Sequence, residues 1–271
     1  MPFNPVPKME KLYIFLRGVK GLSKSTVKRY SEIATYIEKN NLDPFEFYMN
    51  TLDSDYSNAH KRNVYYAVKY LCEYRGVNFP FTPPKQHQKR RDHANEKDIL
   101  KLLSVVKDPR DKALLLLHIY TGLRPSELLK IKIADIDFKE LLIKIKETKT
   151  FQDRIVPFNV SCKLAIINYL DQRLDDNCPY LFKCKNEDHP MTLQRYRYIL
   201  REYCEKAELK RITPYMIRHT FATCYIESGG NLKALKEILG HRQIKTTEIY
   251  IHESENIIKK DYSRTSEHLF G

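Results

Sequence analysis

Residues 212–241, ITPYMIRHTFATCYIESGGNLKALKEILGH, are the stretch on which the fold turns. Thr213 is a good N-cap, Pro214 suits the first helical position and Gly229 closes the far end, so one helix is expected between them. Tyr215 and Arg218 are three residues apart and share a face, while Phe221, Ala222 and Tyr225 can pack inward. Next, Leu232, Leu235, Ile238 and Leu239 recur at helical spacing as a core stripe that stops at Gly240. His241 therefore sits just past a helix end. A Thr246–Thr247 start signal follows, and then Tyr250.

The same logic applies upstream. DKALLLLHIY (111–120) reads as a buried helix running into TGLRPSELLKI (121–131). Gly122 breaks it, and Pro125 opens the next helix with Ser126 and Glu127 beside it. Arg124 is left on a tight turn between two helices, either as an ordinary surface residue or as a fork aimed at a phosphate. Then LLIKIKETK (141–149) alternates apolar and polar residues, and DRIVPF (153–158) resumes a strand after a short polar turn. The expected fold is mainly α with a small β-hairpin or sheet (α+β), not a doubly wound sheet, and no internal repeat is visible.

The first third is organised differently. Helices are expected from Ser23, with Val27, Tyr30, Ile33 and Ile37 in a stripe, and from Ser57, with Val64, Ala67, Val68 and Leu71 in a stripe and Gly76 as the stop. PFTPPKQHQKRRDHA then brings three prolines and a basic run without apolar periodicity. The expected organisation is a helical domain over 1–80, a linker over 81–95 and a larger domain over 96–271. Through residue 90 there are 15 Lys and Arg against 8 Asp and Glu, so the small domain is the more basic per residue of a chain carrying +13 in all. Such an excess suits a polyanion. Lys24, Lys28 and Arg29 on one helix, and Lys61, Arg62, Tyr65 and Lys69 on the other, form the expected phosphate-facing surface; the alternative is an ordinary solvated helix face.

Other classes fall away. ALLLLHIY (113–120), the longest strongly apolar run, is far short of the roughly 20 residues a membrane span needs. MPFNPVPKMEKLYIF has prolines and an acid where a signal peptide needs an apolar stretch. The six cysteines show neither a CxxC pair nor a recurring spacing, so scattered thiols are expected, with no metal site. A cytoplasmic protein without a membrane partner is the expectation.

Taken together, TGLRPSEL, RHTFAT, and LGH followed by TTEIY resemble the two arginine boxes and the closing histidine-to-nucleophile segment of the tyrosine recombinase family (phage integrases, Xer-like recombinases). The order and spacing fit over roughly 96–271, and the basic helical region suits that family's N-terminal core-binding domain. The resemblance implies a two-domain architecture and a DNA strand transferase in which Tyr250 attacks a phosphodiester, leaving a 3′-phosphotyrosyl link and a free 5′-hydroxyl. Free tyrosine titrates near pH 10 and needs such a site to react at neutral pH. Arg124 and Arg218 are then the clamp on the non-bridging oxygens. Lys149 is the proton donor to the leaving oxygen, ahead of Lys146 and Lys144. His241 is a phosphate contact, and Glu127 supports the arginine site.

The family usually has histidine where this chain has Tyr215. Its hydroxyl can donate to a phosphate but cannot accept a proton near neutral pH. His219, a supporting residue, points about 100° away around the helix. No cofactor is implied. The implied partners are a double-stranded recombination site and further copies of the chain, a monomer in solution that becomes a tetramer in synapsis. The tail ENIIKKDYSRTSEHLF is expected to dock on a neighbouring copy or on its own domain. Chromosome-dimer resolution, integration or excision of a mobile element, and inversion all fit. A DNA-binding relative without catalysis and a type IB topoisomerase-like nicking-closing enzyme are the alternatives.

Overall fold

Side-chain caps fix most helix starts. Ser23, Asp43 and Ser57 each accept a hydrogen bond from a first-turn backbone N–H, opening α2 (Lys24–Lys39), α3 (Pro44–Asp53) and α4 (Asn58–Tyr74). A shorter helix, α1 (Pro7–Ile14), precedes them and runs into a π-turn over Phe15–Val19. These elements come from a computed structural model that describes residues 7–85, 93–146, 153–173, 177–184, 188–241 and 246–247. The chain divides into two units, Met1–Lys89 and Arg90–Gly271.

In the first unit Leu12, Leu16, Val27, Ala34, Ile37, Val64, Val68 and Leu71 form the core, so the expected stripes are the buried faces, with Ile33 at their margin. α1 and α3 add two helices to the two expected. The segment expected to begin the linker is fixed instead. Phe79 and Phe81 pack on Phe45, Tyr48 and Tyr65, and Tyr65 Oη donates to the Phe81 carbonyl at 3.0 Å. Tyr48 Oη donates to Thr82 at 3.3 Å, Arg62 to Pro84 at 2.8 Å and Asn58 to Lys85 at 3.3 Å. Residues 77–85 thus lie along α4 as part of this unit.

The second unit begins with α5 (Glu96–Val105), capped by Asn95. Its centre is α6 (Pro109–Thr121), whose Ala113, Leu114, Leu115 and Leu117 are fully buried. Truncating one of these leucines to alanine should cost about 2–5 kcal/mol. A short α7 (Pro125–Leu128) leads to an antiparallel sheet of β1 (Ile136–Asp137), β2 (Leu142–Ile145) and β3 (Arg154–Pro157), in the order β1-β2-β3. The hairpin has the expected alternation, with Ile143 and Ile145 buried and Lys144 exposed; β1 is an addition to it. Register puts Val156 opposite Ile143 and Arg154 opposite Ile145, so Arg154 stands across from an inward-facing residue.

Then follow α8 (Val160–Gln172), packed on α6, and α9 (Leu193–Lys206). The last described helices are α10 (Pro214–Glu227), capped by Thr213, and α11 (Leu232–Leu239), capped by Asn231. α10 and α11 share a small core of Ala222, Ile226, Leu235 and Leu239, rimmed by Phe221, Tyr225 and Leu232. Among the described residues no helix is long and apolar enough to cross a membrane, and no group of three or more His, Cys, Asp or Glu could hold a metal ion. Burial pushes the Cys162 thiol up to about 12, far from a reactive thiolate.

Candidate active site

The turn carrying Arg124 is held from several sides. Gly122 ends α6 in the left-handed conformation (φ +56°), and a Cβ there would lie 2.1 Å from the Phe221 ring, so both the backbone angle and the space require glycine. Arg218 Nη1 donates to the Gly122 carbonyl at 2.9 Å. The next carbonyl, Leu123, lies 3.0 Å from His118 Nε2, and Nδ1 of that ring lies 2.7 Å from Tyr196 Oη. A carbonyl only accepts, so Nε2 carries the proton and Nδ1 accepts from the tyrosine. Burial, aided by the charge of Arg218 and partly opposed by the Leu123 bond, pushes His118 down to about 3 and keeps it neutral.

Glu127, on the first turn of α7, binds Arg124 twice. Its carboxylate accepts from the Arg124 backbone N–H at 3.0 Å and from Nη1 at 2.7 Å. It also accepts a fork from Arg154, Nη2 at 2.7 Å and Nη1 at 3.3 Å. Burial alone would raise this carboxyl. The hydrogen bonds and charge of Arg154, followed by those of Arg124, outweigh it and hold Glu127 below the usual carboxylate range.

The C-terminal end of α11 gathers these arginines. Its last carbonyls go to three guanidiniums from three different elements. Arg154 Nε donates to Ile238 at 3.0 Å, Arg218 Nη2 to Leu239 at 2.8 Å, and Arg124 Nη2 to Gly240. Cations at this end also suit the negative pole of the helix. Gly240 is left-handed (φ +64°), and the chain leaves the helix directly into His241. Arg218 Nη2 lies 3.0 Å from His241 Nε2, and His241 Nδ1 lies 2.9 Å from Thr247 Oγ1, a residue with no exposed surface. A guanidinium only donates, so Nε2 is the acceptor and Nδ1 carries the proton toward Thr247.

Of the expected site residues, Arg124, Glu127, Arg218 and His241 come together around Gly122 and the end of α11. Tyr215 is 49% exposed on the first turn of α10, one turn before the buried Arg218. His219 is half-buried at the next position round that helix. Lys149 and Tyr250 lie outside the described residues. Lys144 pairs with Asp153 at 3.7 Å and Lys146 with Asp135 at 3.4 Å.

On the first unit Lys24, Lys28 and Arg29 are exposed as expected, Lys28 approaching Glu32 at 4.0 Å, and Lys69 is half-buried. Of the expected phosphate contacts on α4, Tyr65 needs correction, while Arg62 and Lys61 have partners within this unit. Tyr65 is 4% exposed, in the core, with its hydroxyl on Phe81. Arg62 donates to Pro84 at 2.8 Å and lies over the Tyr66 ring, and the Lys61 ammonium donates to the Leu52 carbonyl at 2.6 Å. The folded-back segment covers the part of the α4 face that holds Arg62 and Tyr65.

Sequence reading missed Arg154 and His118. A signal for the first existed: if Ile143 and Ile145 point inward, an antiparallel partner strand RIV puts Val156 and Arg154 inward too. His118 gave none, being one polar residue within an apolar helix.

Two arginines fixed around one helix end beside a histidine gather positive charge and hydrogen-bond donors at one place, an arrangement that suits an anion. Residues 60–256 match the model of the phage integrase family. The chain belongs to this family, the tyrosine recombinases, enzymes that transfer DNA strands. It is 33% identical to the tyrosine recombinase XerA of Pyrococcus furiosus over 277 residues, covering 93% of each chain. A crystal structure of XerA recombinase aligns at 27% identity with a TM-score of 0.59, covering 95% of this chain and 98% of that one. The Tn1549 transposon integrase, solved with circular intermediate DNA, shares the fold with a TM-score of 0.74 at 21% identity, over 95% of this chain and 99% of that one.

Proposed function

We propose that this chain recombines DNA at specific sites through a covalent bond to Tyr250, with Arg124 and Arg218 as the phosphate clamp. The observation that carries the reading is the convergence of those two arginines, from motifs 94 residues apart in sequence, on adjacent carbonyls of α11 beside His241.

Tyr250 Oη attacks phosphorus, the bond to the 5′-oxygen breaks, and Lys149 protonates that oxygen as it leaves. The two guanidiniums bind the non-bridging oxygens, whose charge rises in the pentacoordinate transition state; each such donor is worth roughly 10²–10³ in rate. Tyr215 can donate to the phosphate but cannot take a proton near neutral pH. The proton that Tyr250 gives up therefore passes to another base, and Nε2 of His241 serves as that base once Arg218 turns its Nη2 from the ring to the phosphate. Attack by a second strand's 5′-hydroxyl reverses the step, conserving the bond energy without a nucleotide cofactor.

The substrate is double-stranded DNA, gripped in part by Lys24, Lys28 and Arg29 of the core-binding unit. The working assembly is a tetramer on two duplexes in the cytoplasm.

The test is covalent trapping on a nicked duplex carrying the recombination site, or on a library of nicked duplexes, with Tyr250→Phe alongside. A 3′-linked adduct mapped to Tyr250 and absent from the variant is the expected result. Tight binding of a recognised site by both proteins without an adduct from either would leave a catalytically silent DNA-binding protein.

A further inference from the structure

Arg154 lies outside the phosphate clamp, yet it touches Glu127, which holds Arg124, and the end of α11, whose carbonyls hold both clamp arginines. Its side chain is 10% exposed. It makes three directed bonds, Nη2 and Nη1 to the two oxygens of Glu127 and Nε to the carbonyl of Ile238. Glu127 Oε1 is shared with the Arg124 guanidinium, and Oε2 with the Arg124 backbone N–H. One carboxylate therefore ties two guanidiniums together with all its lone-pair sites in use.

The other face of Arg154 lies against Gly240, where a Cβ would come within 2.8 Å of Cζ and Nη1. The guanidinium occupies the space a side chain would take at the residue before His241. Arg154 is also the first residue of β3, paired with Ile145 at the end of β2.

We propose that Arg154 is a positioning residue for strand transfer, joining β3, Glu127 and the end of α11 so that the clamp and His241 are set as one unit. This rests on the assignment of Arg124 and Arg218 as the phosphate clamp. Lysine cannot replace arginine here, because its point charge cannot serve both Glu127 oxygens and the Ile238 carbonyl at once. Being buried, Arg154 contributes to the rate of cleavage and hardly at all to DNA affinity.

The experiment measures single-turnover adduct formation on a saturating nicked duplex, DNA Kd and the thermal midpoint for wild type, Arg154→Lys, Arg154→Gln, Glu127→Gln and the Arg154→Lys/Glu127→Gln double variant. Arg154→Lys is expected to fold and to bind DNA within about threefold of wild type, while adduct formation slows roughly 10–100-fold, the cost of a small misplacement of reacting groups. Its effect should shrink in the Glu127→Gln background, since both changes break the same tie. A wild-type rate in Arg154→Lys would overturn the proposal. So would a rate loss that multiplies in full with that of Glu127→Gln, or one matched by equal losses of folded protein in both arginine variants. A wild-type protein that forms no Tyr250 adduct would overturn the clamp assignment and this proposal together, whereas a wild-type adduct with an unimpaired Arg154→Lys would overturn this proposal alone.

Discussion

Replacing Gly240 by alanine tests how firmly the end of α11 is gripped, because two separate costs meet at one residue. The first is conformational: at φ +64° an L-residue strains against its own carbonyl, at about 1 kcal/mol. The second is steric. The new methyl would sit 2.8 Å from Cζ and Nη1 and 3.1 Å from Nε of Arg154, so the guanidinium must move. An untethered arginine would swing aside at little cost. This one is held by Glu127 and Ile238, and losing its charge-assisted bonds costs roughly 1.5–3 kcal/mol. Gly240→Ala should therefore lower unfolding stability by about 3 kcal/mol in urea denaturation. In an Arg154→Ala background only the backbone cost remains, about 1 kcal/mol, which leaves a coupling of about 2 kcal/mol between the two positions. An equal cost in both backgrounds would refute the claim that Arg154 fills the side-chain space of Gly240.

Arg218→Lys keeps the charge but loses the fork that serves Gly122, Leu239 and His241; adduct formation should fall roughly 10²–10³-fold with DNA binding preserved, as read by single-turnover trapping. Tyr215→His supplies a group that can both donate and accept a proton, so cleavage should accelerate or gain a new limb in its pH profile, and a slower or unchanged rate would count against the role given to Tyr215. His118 is held at about 3 in the folded chain against an ordinary value of 6.5. The unfolded chain thus binds the extra proton between these values, and stability falls as pH drops through that window. About 2 kcal/mol should be lost by pH 5 from this group, seen as a flatter stability–pH curve for His118→Gln than for wild type.

Much of this was legible in the sequence for local reasons. Ser23, Ser57 and Thr213 announce helix starts because a short polar side chain can satisfy first-turn amides. Gly122 and Gly240 announce ends because only glycine takes the left-handed turn without strain. The arginine boxes marked Arg124 and Arg218, and RxxE marked Glu127. What escaped depends on contacts distant in sequence. Tyr65 sits in an arc of α4 beside Arg62 and Lys69 that reads as solvent-facing, until an aperiodic, proline-rich segment folds back over it. Arg154 reads as an unremarkable strand residue, until β2 sets its register and α11 supplies a carbonyl to it. A pattern within one element cannot reveal a partner that arrives from another.

The three carbonyls that hold the arginines have a consequence for the order in which the chain is made. Arg154, Arg218 and Arg124 emerge during synthesis well before Ile238, Leu239 and Gly240, which lie 84, 21 and 116 residues beyond them respectively. Until α11 is complete, each guanidinium lacks the helix-end acceptor that fixes it. On the function proposed above, the clamp is thus assembled only once α11 is made, just before the histidine and tyrosine that would use it. A ribosome-bound fragment carrying both arginine boxes would be able to attract DNA without yet having the arrangement needed to cut it.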